Sequence, residues 1–190
     1  MQKIPPQEIR EEISLSPSTS IFTADLKKIY SAVKTHPRVK KAKIIKKFPS
    51  TLVVKIEERK IFAYIKEENF FLQIDRDGFI FGQTEKPLSS FAVIFGINPS
   101  TDREIIQKIL EAIERCNFLN LKVEKASFKK DERGIVLFLE KDLKVILGLS
   151  PNYHYLSYLP AIFEDARKNR EKFDTIDLRF DGQIVVFKEK

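Results

Sequence analysis

The chain has 190 residues, 43% of them hydrophobic and 32% charged, a balance that fits a folded globular protein and excludes a disordered tail. A single cysteine, Cys116, excludes an internal disulfide and any multi-cysteine zinc site, and the two histidines, His36 and His154, stand too far apart for a histidine-rich metal centre. The formal charge of +7 is unevenly held: 13 Lys or Arg face 6 Asp or Glu up to Arg59, whereas the remainder carries 21 of each. Between Lys34 and Lys47 there are seven basic residues and no acidic one, the pattern of a segment that faces phosphate on nucleic acid or lipid. The longest apolar stretch, Phe91 to Ile97, is far short of the roughly 20 residues that span a bilayer. Met1 to Pro6 is short and polar, unlike a signal peptide.

In chain order, Pro6 to Ser14 reads as a short helix, with proline in the first turn, Glu8, Glu11 and Glu12 early, and Ile9 and Ile13 four apart. Ser16 to Ser20 is a turn cluster. Thr23 is the expected cap of a second helix whose buried face holds Leu26, Ile29, Tyr30 and Val33, and Pro37 ends it. Ala42 and Ile44, then Leu52, Val54 and Ile56, predict a hairpin in which Thr51 to Glu58 keeps one face buried and one wet.

From Lys60 the patterning is mostly β. Strands are predicted at Ile61–Ile65, Asn69–Ile74, Phe79–Phe81 and Phe91–Phe95, with Asp75-Arg76-Asp77-Gly78 as a tight turn. Thr101 and Glu104 suggest a capping box for a helix with Ile105, Ile106, Ile109, Leu110, Ile113 and Cys116 on one face. Strands follow at 122–129, 134–140 and 144–147. A helix over 155–169 must be started or kinked by Pro160. Two last strands, 175–180 and 183–188, meet at Asp181-Gly182. The chain reads as an α+β protein of two modules, 1–59 as helix-helix-strand-strand and 60–190 as a strand-rich module with two helices.

Motifs for chemistry are absent. Six glycines are scattered without a phosphate-binding loop. His36, beside Pro37 at a helix end, suits the local dipole better than catalysis, and His154 lies in a tyrosine-rich run that suggests packing or surface. Cys116 reads as a small core residue. Asp75-x-Asp77-Gly78 resembles the start of a calcium loop, but Phe79 and Phe81 replace oxygen donors, so a hairpin turn is the better reading. No catalytic residue, cofactor or metal is expected. A nucleic-acid site would interleave aromatics with the basic run, and Phe48 alone is there; a solvated face or attraction to an anionic membrane surface are the other readings.

Several segments, in order, resemble the FtsQ/DivIB family of bacterial division proteins. They are Asp25-Leu26, His36-Pro37-Arg38-Val39-Lys40-Lys41-Ala42, Lys47-Phe48-Pro49-Ser50-Thr51-Leu52, Ile56-Glu57-Glu58-Arg59, Ile74-Asp75 with Gly78-Phe79, and Ile176-Asp177-Leu178-Arg179-Phe180. Together they cover nearly the whole chain. The resemblance implies a POTRA domain over 1–59 and the family's C-terminal β domain over 60–190. The family's POTRA domain begins with a strand, and a cytoplasmic tail and one transmembrane helix precede it; the chain is therefore expected to be a trimmed extracytoplasmic part of an inner-membrane protein, its first strand lost or shortened. Pro160 departs from the regular basic helix of the family.

The implied function is a non-catalytic divisome scaffold that recruits FtsB/DivIC-like and FtsL-like partners by strand addition. The last strand, Gln183 to Lys188, is apolar on both faces, as a central strand or an edge awaiting a partner would be. Arg179, Phe180, Gly182, Ile184, Val185 and Phe187 are the expected partner contacts, against the reading that Phe180 and Phe187 fill the core. Lys40, Lys41, Lys43, Lys46 and Lys47 form an expected basic face toward membrane headgroups or another division protein. The alternatives are a POTRA-bearing protein of outer-membrane polypeptide transport, disfavoured by the lack of repeated POTRA units and of a barrel signature, and a basic nucleic-acid-binding protein.

Overall fold

Pro6 opens α1 (Pro6–Ile13), and Ser14, left-handed at φ 45°, closes it by donating its N–H to the carbonyls of Arg10 and Glu11. The computed structural model describes residues 3–14, 20–129, 134–148 and 153–188, so the turn read at Ser16 to Ser20 lies mostly outside the described residues. In α2 (Leu26–Thr35) the cap is Asp25 rather than Thr23: its carboxylate accepts the N–H groups of Lys27 and Lys28 at 2.9 and 3.2 Å. A capping oxygen must sit on the residue just before the helix, and Thr23 instead donates its hydroxyl to Ser20 in the preceding turn. Ile29 and Val33 are buried, but Tyr30 is 44% exposed, one residue and about 100° around from Ile29. His36 is extended, the conformation a following proline demands, and α2 ends there.

Strands β1 (Val39–Lys47) and β2 (Thr51–Glu58) form an antiparallel pair in which Ala42 faces Ile56, Ile44 faces Val54 and Lys46 faces Leu52. The apolar members of that face pack on a core of Ile4, Ile9, Ile29, Val33 and Val39. Fully burying each aliphatic chain is worth about 1.5–3 kcal/mol. The Glu58 carboxylate accepts the Ile4 N–H at 3.1 Å and an Arg38 N–H at 3.2 Å, joining the chain before α1 to the end of β2.

A second sheet carries β3 (Ala63–Lys66), β4 (Phe71–Ile74), β5 (Ile80–Thr84), β6 (Ala92–Phe95), β7 (Val123–Lys129), β8 (Gly134–Leu139), β9 (Lys144–Gly148), β10 (Phe173–Asp177) and β11 (Val185–Lys188). Their order is β11-β10-β9-β8-β7-β6-β3-β4-β5. The parallel pairs β6–β7 and β9–β10 are bridged by helices, α3 (Arg103–Phe118) and α4 (Leu159–Asn169), as parallel neighbours require. Two compact units result: one runs through Lys60 and takes in Ile80–Gly82, the other holds Ile61–Phe79 and Gln83 onward.

In α3, Ile106, Ile109, Leu110, Ile113 and Cys116 are buried as the spacing predicts. Its expected capping box does not form. Asp102 precedes the first helical residue and turns its carboxylate back to the Asn98 N–H at 2.8 Å and the Thr101 hydroxyl at 3.2 Å. Glu104 instead pairs with Lys108 at 2.8 Å, one turn on. Pro160 sits in the first turn of α4, after a 3-10 stretch over Tyr153–Tyr158, so it starts the helix without kinking it. Asp75, buried, accepts the N–H groups of Asp77 and Phe79 at 2.9 Å each, and Gly78 takes φ 79°. This is an α+β architecture, with helix-helix-strand-strand ahead of a strand-rich sheet with two helices.

Candidate partner-docking edge

The last two strands are held by polar groups at their turn. Asp177, 2% exposed, ends β10. Arg179, two residues on and therefore on the same side of an extended chain, returns its guanidinium to that carboxylate. Nε lies 2.9 and 3.1 Å from the two oxygens, Nη2 lies 2.5 Å from Oδ2, and the Arg179 N–H adds a contact at 3.1 Å. Burial pushes the Asp177 carboxyl up, but the Arg179 side-chain and backbone hydrogen bonds and the charges of Arg179 and Lys144 outweigh it, leaving the carboxyl below its ordinary value. The Leu178 N–H continues the ladder to Ile146 at 2.9 Å.

Beyond Arg179 the chain turns. Gly182 takes φ 74°, a conformation that disfavours a side chain. The Tyr155 hydroxyl donates to the Asp181 carboxylate at 2.9 Å and accepts the Gly182 N–H at 2.6 Å, tying the turn to the segment before α4. Strand β11 then pairs antiparallel with β10, with Val185 opposite Asp177, Val186 opposite Ile176 and Phe187 opposite Thr175. It ends the sheet: no strand lies on its other side among the described residues.

That edge is apolar and open. Phe180 is 48% exposed, Val186 38% and Phe187 50%, with Ile184 and Val185 half-buried. The Arg179 guanidinium lies 5.9 Å from the centre of the Phe180 ring. Arg179, Phe180, Gly182, Ile184, Val185 and Phe187 thus come together at one turn and one strand. Unpaired backbone groups beside exposed apolar side chains are what an added strand needs. The sequence reading missed Asp177 and Tyr155. The two-residue spacing of Asp177 and Arg179 was available as a signal; the contact of Tyr155 with a turn 26 residues away was not.

The basic run divides along β1. Lys41, Lys43 and Lys47 are exposed on the face away from the core, and Lys46 is half-buried on the other. Lys41 pairs with Glu57 at 3.2 Å, and the Lys40 carbonyl accepts the Lys34 ammonium at 2.7 Å. His36 receives the Arg38 N–H on Nδ1 at 3.2 Å and lies 3.3 Å from Glu8 through Nε2.

No group of three or more His, Cys, Asp or Glu could hold a metal among the described residues, and no described helix is long and apolar enough to cross a membrane. Burial pushes the Cys116 thiol up to about 12 and the Tyr153 hydroxyl, which donates to the Lys108 carbonyl, also to about 12, away from nucleophilic chemistry at neutral pH. A groove of about 860 Å³ beside Phe163 and Phe173 is lined by both signs of charge, including Lys122, Glu140 and Arg167.

Residues 1–59 match the family model described as POTRA domain, FtsQ-type, and residues 59–186 that described as FtsQ/DivIB, C-terminal related. Cell division protein FtsQ of Syntrophotalea carbinolica is 27% identical over 93% of this chain and 68% of its own length. Cell division protein DivIB of Bacillus subtilis is 21% identical over 82% and 60%, and that of Clostridium botulinum 24% identical over 98% and 78%. The chain thus spans 60% to 78% of the lengths of these relatives, which are named as division proteins and not as enzymes. The extracytoplasmic domain of DivIB from Geobacillus stearothermophilus aligns with a TM-score of 0.41 and 16% identity, covering 60% of this chain and 98% of its own. With one family model covering the first 59 residues and the other most of the remainder, the chain belongs to the FtsQ/DivIB family of bacterial cell division proteins.

Proposed function

We propose that this chain is the extracytoplasmic part of a non-catalytic divisome scaffold, and that it recruits FtsB/DivIC-like and FtsL-like partners by adding a strand to β11. In this reading residues 1–59 are the POTRA domain and 60–190 the partner-recruiting domain, on the outer side of the inner membrane. One observation carries the reading: the last strand ends its sheet with Val186 and Phe187 in solvent and its second edge unpaired among the described residues. A partner segment laid there gains ladder hydrogen bonds, and alternate side chains beside Phe187 and Phe180 set specificity. Arg179, Gly182 and Ile184 shape the start of the strand, where Tyr155 holds the turn.

Titration calorimetry against the extracytoplasmic segments of FtsB-like and FtsL-like proteins from the same source tests this. The parent chain should bind, and a variant with Val185→Pro and Phe187→Ala, folded by circular dichroism, should not. Binding by both places the contact elsewhere; no binding by the parent removes strand addition.

A further inference from the structure

The unit that runs through Lys60 leaves two aromatic rings in water at one place. Phe22, in the turn before α2, is 71% exposed, and Phe48, just past β1, is 66% exposed; the rings lie side by side with centroids 5.3 Å apart, tilted 36° to each other. Single exposed apolar residues are ordinary, whereas two exposed rings in contact form a contiguous apolar tip. Lysines flank it. The Lys46 ammonium, from the core-side face of β1, donates to the Phe22 carbonyl at 3.4 Å, and Lys47 is exposed next to Phe48. On the outer face of β1, which Lys47 shares, Lys43 stands directly opposite Lys55 of β2. Lys43, Lys47 and Lys55 have no acidic partner among the described residues. Like charges opposed across a ladder repel, and an anionic surface relieves that repulsion. Asp25, three residues after Phe22, has its carboxylate occupied by the N–H groups of α2, and Glu57, the next position along the face of Lys55, is paired with Lys41.

We propose that this tip seats on an anionic lipid surface, with the Phe22–Phe48 pair entering the interfacial layer and the lysines meeting headgroup phosphates. Apolar side chains ringed by lysine are the composition of interfacial anchors. Single-stranded nucleic acid would need rings spaced along a basic groove so that successive bases stack, and here both rings sit together at one end. The inference goes beyond the division reading and rests only on this unit's exposure and charge, so either can fail without the other.

The chain has no tryptophan, so Phe48→Trp supplies a sole reporter. The full chain is mixed with vesicles of equimolar phosphatidylglycerol and phosphatidylcholine, or of phosphatidylcholine alone. Binding to the anionic vesicles only is expected, with a blue shift of the introduced indole and quenching by brominated acyl chains. Phe22→Ser with Phe48→Ser should abolish sedimentation at physiological salt without changing net charge. Lys46→Gln with Lys47→Gln should weaken partitioning roughly 25-fold, about fivefold per lysine. Absence of binding, serine variants that sediment like the parent, an unshifted indole on bound chain, or tighter binding to DNA than to these vesicles would each overturn the proposal.

Discussion

Through Arg59 the chain carries all of its net charge and, among its described residues, buries five, Ile4, Ile9, Ile29, Val33 and Val39, beneath one pair of strands. From Lys60 onward it is neutral and buries side chains along nine strands, with Ile65, Ile94, Leu137 and Leu147 at 1% exposure or less. The first unit has a small core and a surface dominated by one sign of charge; the second draws its stability from depth. Surface potential and core depth are thus assigned to different parts of one chain, so a change in either should be felt locally.

Core truncation tests that division most strongly. Leu137→Ala, in a strand with neighbours on both sides, should cost about 3–5 kcal/mol, read by urea denaturation. Ile29→Ala, in the smaller core, should cost about 2–3 kcal/mol and leave the Leu137 unit's transition in place. A single merged transition shifted by both changes would break the comparison.

Asp177→Asn asks whether the second unit opens as a block or loosens at its β10–β11 edge. The substitution removes a buried charge-assisted pair but leaves a partly hydrated Arg179, so about 1–3 kcal/mol is expected. Because the folded carboxyl lies below its ordinary value, its contribution is fully present above about pH 4 and is lost as pH falls through the folded value. The gap between parent and variant should therefore close on acidification; a gap unchanged to low pH contradicts the pairing.

Gly182→Ala should cost about 1–2 kcal/mol through backbone conformation alone, since a Cβ there meets nothing within 4 Å. Hydrogen exchange should register it in β11 and not in β8. Smallest is Tyr155→Phe, which removes the hydroxyl between Asp181 and Gly182 and should cost about 1 kcal/mol. If its exchange effect reaches β1 or β2, the units are coupled more closely than their separate cores suggest.

Elements governed by local periodicity were readable from sequence: the buried stripe of α3, the alternation of β2, and the turns at Asp75–Gly78 and Asp181–Gly182. Caps were not. Thr23 and Asp25, or Thr101 and Asp102, are close in sequence and both suitable, and the helix start is decided by backbone geometry. The position of Gln183 to Lys188 was ambiguous for a related reason: apolar residues on both faces fit a central or an edge strand, and only sheet order separates them. The pairing of Phe22 with Phe48 joins residues 26 apart in sequence, beyond any local pattern.

Cys116 has one further consequence. As the sole thiol, fully buried on α3 and held protonated at neutral pH, it reacts with an alkylating reagent only when the second unit opens. The first unit has no thiol to compete. Labelling kinetics of the unmodified chain therefore form a clock for the opening of one unit, readable by mass spectrometry while the other is bound, titrated or mutated.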